Sequence, residues 1–361
     1  MNTEITVDPA VRVLVVDDSA FMRIALSRMI ASEAGLEVAA TASCGADALE
    51  KIGTLDPDVV TLDVNMPGLD GLGTLRHIMH EFPRPVIMVS SATEVDAETT
   101  LDALGSGAFD YVPKHLSPTS LDILHIRQDL ISKIWAAAHS RRRNCAGRAM
   151  LDSDGATIPE NHVVPAITPA IVALGTSTGG PNALQEILPR LPRELPVPVL
   201  IVQHMPRGFT APLARRLDGI CQITVHEAVD REKIRAGTAY IAPAGMHMSV
   251  ERVSDSRTII CLDERPEASL HIPSVDVLMQ SVAEAFKNRA LGVIMTGMGC
   301  DGAAGMSAIY REGGLTIGQD EASCAVYGMP RACADLGILN RVVPLSQIPV
   351  QIAKATRCQF Y

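Results

Sequence analysis

A chain of 361 residues, 47% apolar and 20% charged, has room for two ordinary globular domains and no compositional bias toward disorder. No apolar run nears the ~18 residues of a membrane span, and the polar, acidic start lacks a basic-then-apolar leader pattern, so a cytoplasmic protein without membrane insertion is expected. The net charge of −10 divides unevenly: residues 1–130 hold 20 acids and 8 bases, residues 131–167 hold 3 and 5, and residues 168–361 hold 18 of each, which argues against a nucleic-acid-binding surface and marks a boundary between an acidic and a neutral unit.

In chain order, short β-branched runs at Val11–Val16, Leu36–Thr41, Val59–Val64, Val86–Ser90 and Phe109–Val112 alternate with helical patterns such as Ala20–Ile30. Five βα repeats with runs apolar on both faces predict a flavodoxin-like, doubly wound parallel sheet over residues 10–130. Residues 131–167 are expected to be a linker, because H-S-R-R-R-N, D-S-D-G-A-T and two prolines show no apolar period. The arginine run reads as a solvated cluster, with docking on the acidic unit as the alternative. A second, Rossmann-like α/β unit is expected over 168–356. Its strands are predicted at Ile171–Gly175, Val197–Gln203, Gln222–His226, Thr238–Ala242, Thr258–Leu262, Leu291–Thr296 and Leu315–Gly318. Its helices are predicted at Pro181–Leu191, Thr210–Leu217, Val275–Phe286 and Asp301–Arg311. Eight cysteines with no C-x-x-C pair point to neither zinc nor redox chemistry.

Functional side chains of an open parallel sheet gather beyond the carboxyl ends of its strands. In the first unit those ends carry Asp17, Asp18, Asp63, Ser90 and Lys114. Each aspartate alone is an ordinary helix cap or turn residue. Three together repel one another unless a cation joins them, and Mg²⁺ suits an all-oxygen set. Asp63 is then the natural acceptor of a phosphoryl group, with Lys114 neutralising a phosphate oxygen. The stretches V-L-V-V-D-D-S, L-D-V-N-M-P-G-L-D-G, M-V-S-S and Y-V-P-K resemble the response-regulator receiver family over residues 11–128. The resemblance implies phosphorylation of Asp63 by a histidine kinase. It also implies Mg²⁺ held by Asp18, Asp63 and the Asn65 backbone with support from Asp17, and a Ser90–Tyr111 switch pair beside Lys114. His115 departs from the family's usual proline.

The second unit opens with a strand followed by G-T-S-T-G-G-P, in which Gly175, Ser177 and Gly179 satisfy G-x-S-x-G and Pro181 suits a first helical turn. The pattern is weak alone, and a capping serine reads the same way. A nucleophilic serine needs a base. His226 falls inside a strand pattern, His247 in a loop after Pro243 and His271 before a helix, whereas His204 ends an apolar strand at the edge that carries Ser177. Asp301 follows a third strand and can orient the imidazole, or simply cap the helix it opens. Gly297, Gly299 and Gly302 also spell G-x-G-x-x-G, with Asp320 beyond them, which supplies a dinucleotide-binding alternative; the charge of Asp301 opposes it.

The stretches G-T-S-T-G-G-P, Q-H-M-P-R-G-F-T, Y-I-A-P-A-G-M-H, I-P-S-V-D-V-L-M, T-G-M-G-C-D-G-A-A-G-M and Q-D-E-A-S-C-A-V-Y-G-M-P resemble the catalytic domain of chemotaxis protein-glutamate methylesterases over residues 171–345. Thr176 stands where alanine is usual. The resemblance implies Ser177 as nucleophile, His204 as base and Asp301 as orienter, with backbone N–H groups near Thr178 and Met298 as oxyanion donors and no cofactor for the hydrolase. It implies methylated chemoreceptors as substrate, demethylated and in places deamidated. A catalytically silent, receiver-controlled binding module is the rival. An intramolecular receiver–hydrolase interface is also expected, with the acidic receiver folding back toward Arg207, Arg215 and Arg216.

Overall fold

Strands that are apolar on both faces need cover on both, and in a computed structural model of the chain they form two parallel sheets. The structure describes residues 10–91, 94–114, 120–147, 167–254, 257–265 and 271–358, divided into two units, Met1–Gly155 and Ala156–Tyr361. His115 and most of the segment between the units lie outside the described residues.

The first unit runs β1 (Val11–Val16), α1 (Ala20–Ala31), β2 (Leu36–Ala42), α2 (Gly45–Leu55), β3 (Val59–Asp63), α3 (Gly71–Glu81), β4 (Val86–Ser90), α4 (Glu94–Gly105), β5 (Asp110–Pro113) and α5 (Ser120–Gly147). The sheet order is β2-β1-β3-β4-β5 and every pairing is parallel. Local chemistry sets the helix starts: Ser19 Oγ accepts from Met22 N–H, and Asp70 Oδ1 from Gly73 N–H at 2.7 Å.

Helix α5 corrects the expected boundary at residue 130. Leu130, Ile131, Ile134, Ala137 and Ala138 are all buried and keep helical spacing, so residues 131–147, expected in the linker, continue the receiver's last helix. The polar run from His139 masked that face in the sequence. Arg141, read as solvated, instead docks on this unit. Its guanidinium donates to Pro57 O at 2.7 Å and to Asp56 Oδ1 at 3.0 Å.

The second unit contains β6 (Ile171–Thr176), α6 (Gly180–Ile187), β7 (Val199–Gln203), α7 (Thr210–Asp218), β8 (Thr224–Glu227), β9 (Thr238–Ile241), β10 (His247–Ser254), β11 (Arg257–Asp263), α8 (Val275–Phe286), β12 (Ala290–Ile294), α9 (Ala303–Arg311), β13 (Leu315–Gln319), α10 (Met329–Asp335), β14 (Arg341–Val343) and α11 (Ile348–Ala355). Seven strands form one parallel sheet in the order β14-β13-β12-β6-β7-β9-β8. Two expectations are corrected. The predicted strand Thr258–Leu262 lies in β11, which pairs antiparallel with β10 as a separate hairpin. His247, expected in a loop, begins β10 and is buried. The short elements β14, α10 and α11 carry too little periodicity to be read from sequence.

The single tryptophan, Trp135, lies on α5 and reports on the extended helix. Ile134→Ala in the full chain should destabilise the receiver by about 2–5 kcal/mol, read as a lower urea midpoint of Trp135 fluorescence; an unchanged midpoint would detach residues 131–147 from the receiver core.

Candidate functional sites

The first strand of each sheet lies inside it, and the chain winds outward to both sides. In the first unit this switch point falls between β1 and β3. Asp17 and Asp18 follow β1 and Asp63 ends β3. One carboxylate oxygen from each lies within 4.8 Å of the others. Lys114 Nζ lies 2.7 Å from Asp63 Oδ2 and 3.0 Å from Asp17 Oδ2. The Asp17 contact is off the line of a hydrogen bond, which leaves that buried oxygen without a donor. Burial raises the Asp63 carboxyl above its ordinary value and the Asp17 charge adds to this, against the pull of Lys114. One ammonium does not balance three carboxylates, and an all-oxygen donor set with a buried, donor-less oxygen fits a hard divalent cation such as Mg²⁺. Asn65 N–H donates to Asp63 Oδ1 at 3.1 Å, and its side chain donates to Asp96 of α4 at 2.8 Å. Ser90 Oγ accepts from Thr100 Oγ1 at 2.8 Å, and Tyr111 is already inside, 3% exposed.

In the second unit the switch point is β6, flanked by β12 and β7. Thr176 pairs with Gln203 across β6 and β7, so Ser177 and His204 each stand one residue past that pair. The Ser177 turn is closed by Gly180 N–H to Ser177 O at 2.8 Å and by Ser177 N–H to Thr296 O at 3.0 Å. Gly179 takes φ +74°, a left-handed conformation costly for any residue with a Cβ, and starts α6 with Pro181 in its first turn. Thr176, the unusual residue here, is buried and donates to Thr296 O at 2.8 Å.

His204 Nε2 lies 2.8 Å from Asp301 Oδ2. Asp301 does not cap its own helix: α9 begins at Ala303 with Gly302 as N-cap. It caps α8 instead, accepting from Ser274 Oγ at 2.9 Å, Val275 N–H at 2.8 Å and Asp276 N–H at 3.0 Å. Burial alone would raise this carboxyl. The hydrogen bond and charge of His204, with the two backbone donors, outweigh burial and hold it well below the ordinary carboxylate range. An ionised carboxylate only accepts, so Nε2 carries the imidazole proton. Nδ1 is buried and makes no hydrogen bond.

Sequence reasoning missed three contributors. His271 stacks on His204 with ring centroids 4.2 Å apart and planes at 17°. Ser274 braces Asp301, and Gln203 lies under the turn. The S-V-D stretch hints at a helix start, but nothing in the sequence ties it to Asp301. Thr178 is buried and Met298 is 37% exposed. Arg207 pairs with Glu264, and Arg216 bonds Gln185 at 2.9 Å. The glycines of the dinucleotide-like motif shape the loop that carries Asp301 to α8, and Asp320 caps a turn through Ser323 N–H at 2.9 Å.

Fold and sites define an α/β chain with an acidic pocket in one unit and a serine, histidine and aspartate at the central strand ends of the other. Residues 13–124 match the family model of the response regulator receiver domain, and residues 172–352 that of the CheB methylesterase. A protein-glutamate methylesterase/protein-glutamine glutaminase 2 of Nitratidesulfovibrio vulgaris is 46% identical over 95% of this chain and 98% of its own length. A counterpart in Oleidesulfovibrio alaskensis is 44% identical over 96% and 99%. The Thermotoga maritima CheB methylesterase catalytic domain superposes with a TM-score of 0.50 at 38% identity, covering 52% of this chain and 99% of that one. The chain belongs to the family of receiver-bearing protein-glutamate methylesterases. No helix among the described residues is long and apolar enough to cross a membrane.

A carboxyl held below its ordinary value stabilises the fold above that value, and the contribution is lost as pH falls through the folded one. Comparing wild type with Asp301→Asn, the gap in urea midpoint should hold from pH 7 to about pH 5 and narrow below about pH 4. A gap that widens on acidification would contradict a carboxyl held below its ordinary value.

Proposed function

We propose that the chain hydrolyses glutamate methyl esters on chemoreceptors, and deamidates selected receptor glutamines, through Ser177, His204 and Asp301, with Asp63 as the phosphorylated control point. The observation that carries this reading is the His204–Asp301 pair at the switch point, next to a serine on a tight strand–helix turn.

Ser177 Oγ attacks the ester carbonyl while His204 Nδ1 takes its proton. Asp301 holds the ring and stabilises the imidazolium that forms. Backbone N–H groups near Thr178 and Met298 are the donors for the oxyanion. Collapse of the tetrahedral species expels methanol, which receives the proton from His204, or ammonia where the substrate is a glutamine. Water, activated by the same Nδ1, then releases glutamate and restores Ser177. In the receiver, Asp63 accepts a phosphoryl group from a histidine kinase. Asp18, Asp63 and the Asn65 backbone would hold Mg²⁺ with support from Asp17, and that cation supplies charge neutralisation at the transferring phosphoryl oxygens. Lys114 pairs with the acyl phosphate, and Ser90 and Tyr111 relay its presence.

Ser177→Ala and His204→Ala should each lower methanol release from methyl-labelled receptor membranes by about three orders of magnitude or more, with Asp301→Asn somewhat milder. Near-normal turnover in Ser177→Ala would rule out the serine mechanism. A small phosphodonor should label the full chain once, dependent on Mg²⁺ and lost in Asp63→Asn, and should accelerate demethylation. Labelling that survives in that variant would move the acceptor elsewhere.

A further inference from the structure

Under the reactive turn lies a buried amide to which the triad chemistry assigns no part. Gln203, the last residue of β7, is 2% exposed. Its Nε2 donates to Ser177 O at 3.0 Å and to His204 O at 2.9 Å. Carbonyls only accept, so the amide can point one way: turned over, its oxygen would face two acceptors. That orientation leaves Oε1 buried with no hydrogen-bond partner, a desolvation penalty that folded proteins seldom carry without a reason.

Satisfaction of polar groups does not supply the reason at Ser177. Its carbonyl already receives Gly180 N–H at 2.8 Å, so the second donor is surplus to need. Its effect is geometric, because a single nitrogen bridges the residue carrying the nucleophile and the residue carrying the base. The backbone N–H groups of the two residues are tethered elsewhere, Ser177 N–H to Thr296 O at 3.0 Å and His204 N–H to Thr176 O at 3.2 Å. Space for the amide is kept by Gly180, where a Cβ would sit 1.9 Å from Gln203 Oε1. The two positions are therefore sterically linked.

We infer that Gln203 is a positioning residue of the esterase, setting the spacing of Ser177 and His204 through their carbonyls. The inference rests on the triad reading above and deepens it. Gln203 touches no reacting atom. It acts through the two residues that do, and nucleophile–base spacing is among the most rate-sensitive distances in an acyl-transfer site.

The test uses the full chain with phosphodonor and methyl-labelled receptor membranes. Gln203→Leu preserves bulk while removing both the bridging donor and the unpaired acceptor. Turnover is expected to fall about 10- to 100-fold at unchanged KM, with phosphonate labelling of Ser177 slowed in proportion and the urea midpoint held or raised. Gly180→Ala presses the same amide from the other side and should reproduce the loss of kcat. In a Gln203→Ala background, which removes the 1.9 Å clash and leaves the 2.6 Å approach to Thr176 Oγ1, the loss of kcat caused by Gly180→Ala should be smaller than in the wild-type background. Ser177→Ala runs alongside: if it keeps its turnover, the esterase reading itself fails. With Ser177→Ala inactive, full kcat in Gln203→Leu overturns the positioning role. A rise in KM at full kcat also overturns it, since it would assign Gln203 to substrate binding. Should Gln203→Leu not fold, kcat in Gly180→Ala decides by the same criteria.

Discussion

The carboxylate of Asp301 lies where the backbone of α8 begins and its first N–H groups have no partners within the helix. Val275 and Asp276 donate to it from the chain and Ser274 from its hydroxyl, and His204 Nε2 completes the set at 2.8 Å. A negative charge only 10% exposed is tolerated there because the helix N-terminus is the positive end of its dipole and its hydrogen-bond partners are all donors. Two properties of the site follow. The carboxylate stays ionised, so the imidazole proton is held on Nε2. The ring is also held in place, with Asp301 at its edge and His271 against its face at 4.2 Å, leaving Nδ1 as the basic nitrogen. Removing Asp301 would thus disturb both a helix start and a tautomer.

Both units apply one rule of parallel sheets to different chemistry. The first strand lies inside the sheet, the chain winds to either side, and the loops at the switch point can bring together residues far apart in sequence. Between β1 and β3 the loops are short and acidic, and three carboxylates meet one lysine. Around β6 the loops carry a serine turn, a histidine and a long glycine-containing segment that reaches across to α8. The sheet sets the approximate positions. Hydrogen bonds from buried Thr176, Thr296 and Gln203 then fix the backbone of the Ser177 turn.

Much of this arrangement is legible in the chain because it is written in strand ends. Asp17, Asp63, Ser177 and His204 each sit within one residue of the end of an apolar run, and the placement rule needs nothing more. Asp301 is harder to read. Its position just before a helix suggests a local cap, but the helix it caps is α8, which begins 26 residues earlier at Val275. Such contacts leave no periodic trace. His271 and Gln203 are hidden for the same reason, one reaching the site by stacking and the other working through backbone carbonyls. The end of the receiver is not legible from composition. The polar residues after His139 obscured the apolar spacing of Ile131, Ile134 and Ala138, which carries α5 to Gly147.

The central claim is that Asp301 commits Nε2 of His204 as a donor and leaves Nδ1 as the base. Nitrogen-15 NMR of the histidine-labelled full chain at neutral pH, with the His204 signals assigned by their loss in His204→Ala, reads this directly. The account predicts a neutral ring with the proton on Nε2 and a bare Nδ1, shifting toward the other tautomer or averaging between the two in Asp301→Asn. A proton resident on Nδ1 in the wild-type chain would contradict it, because the carboxylate would then face a lone pair and the serine would have no base.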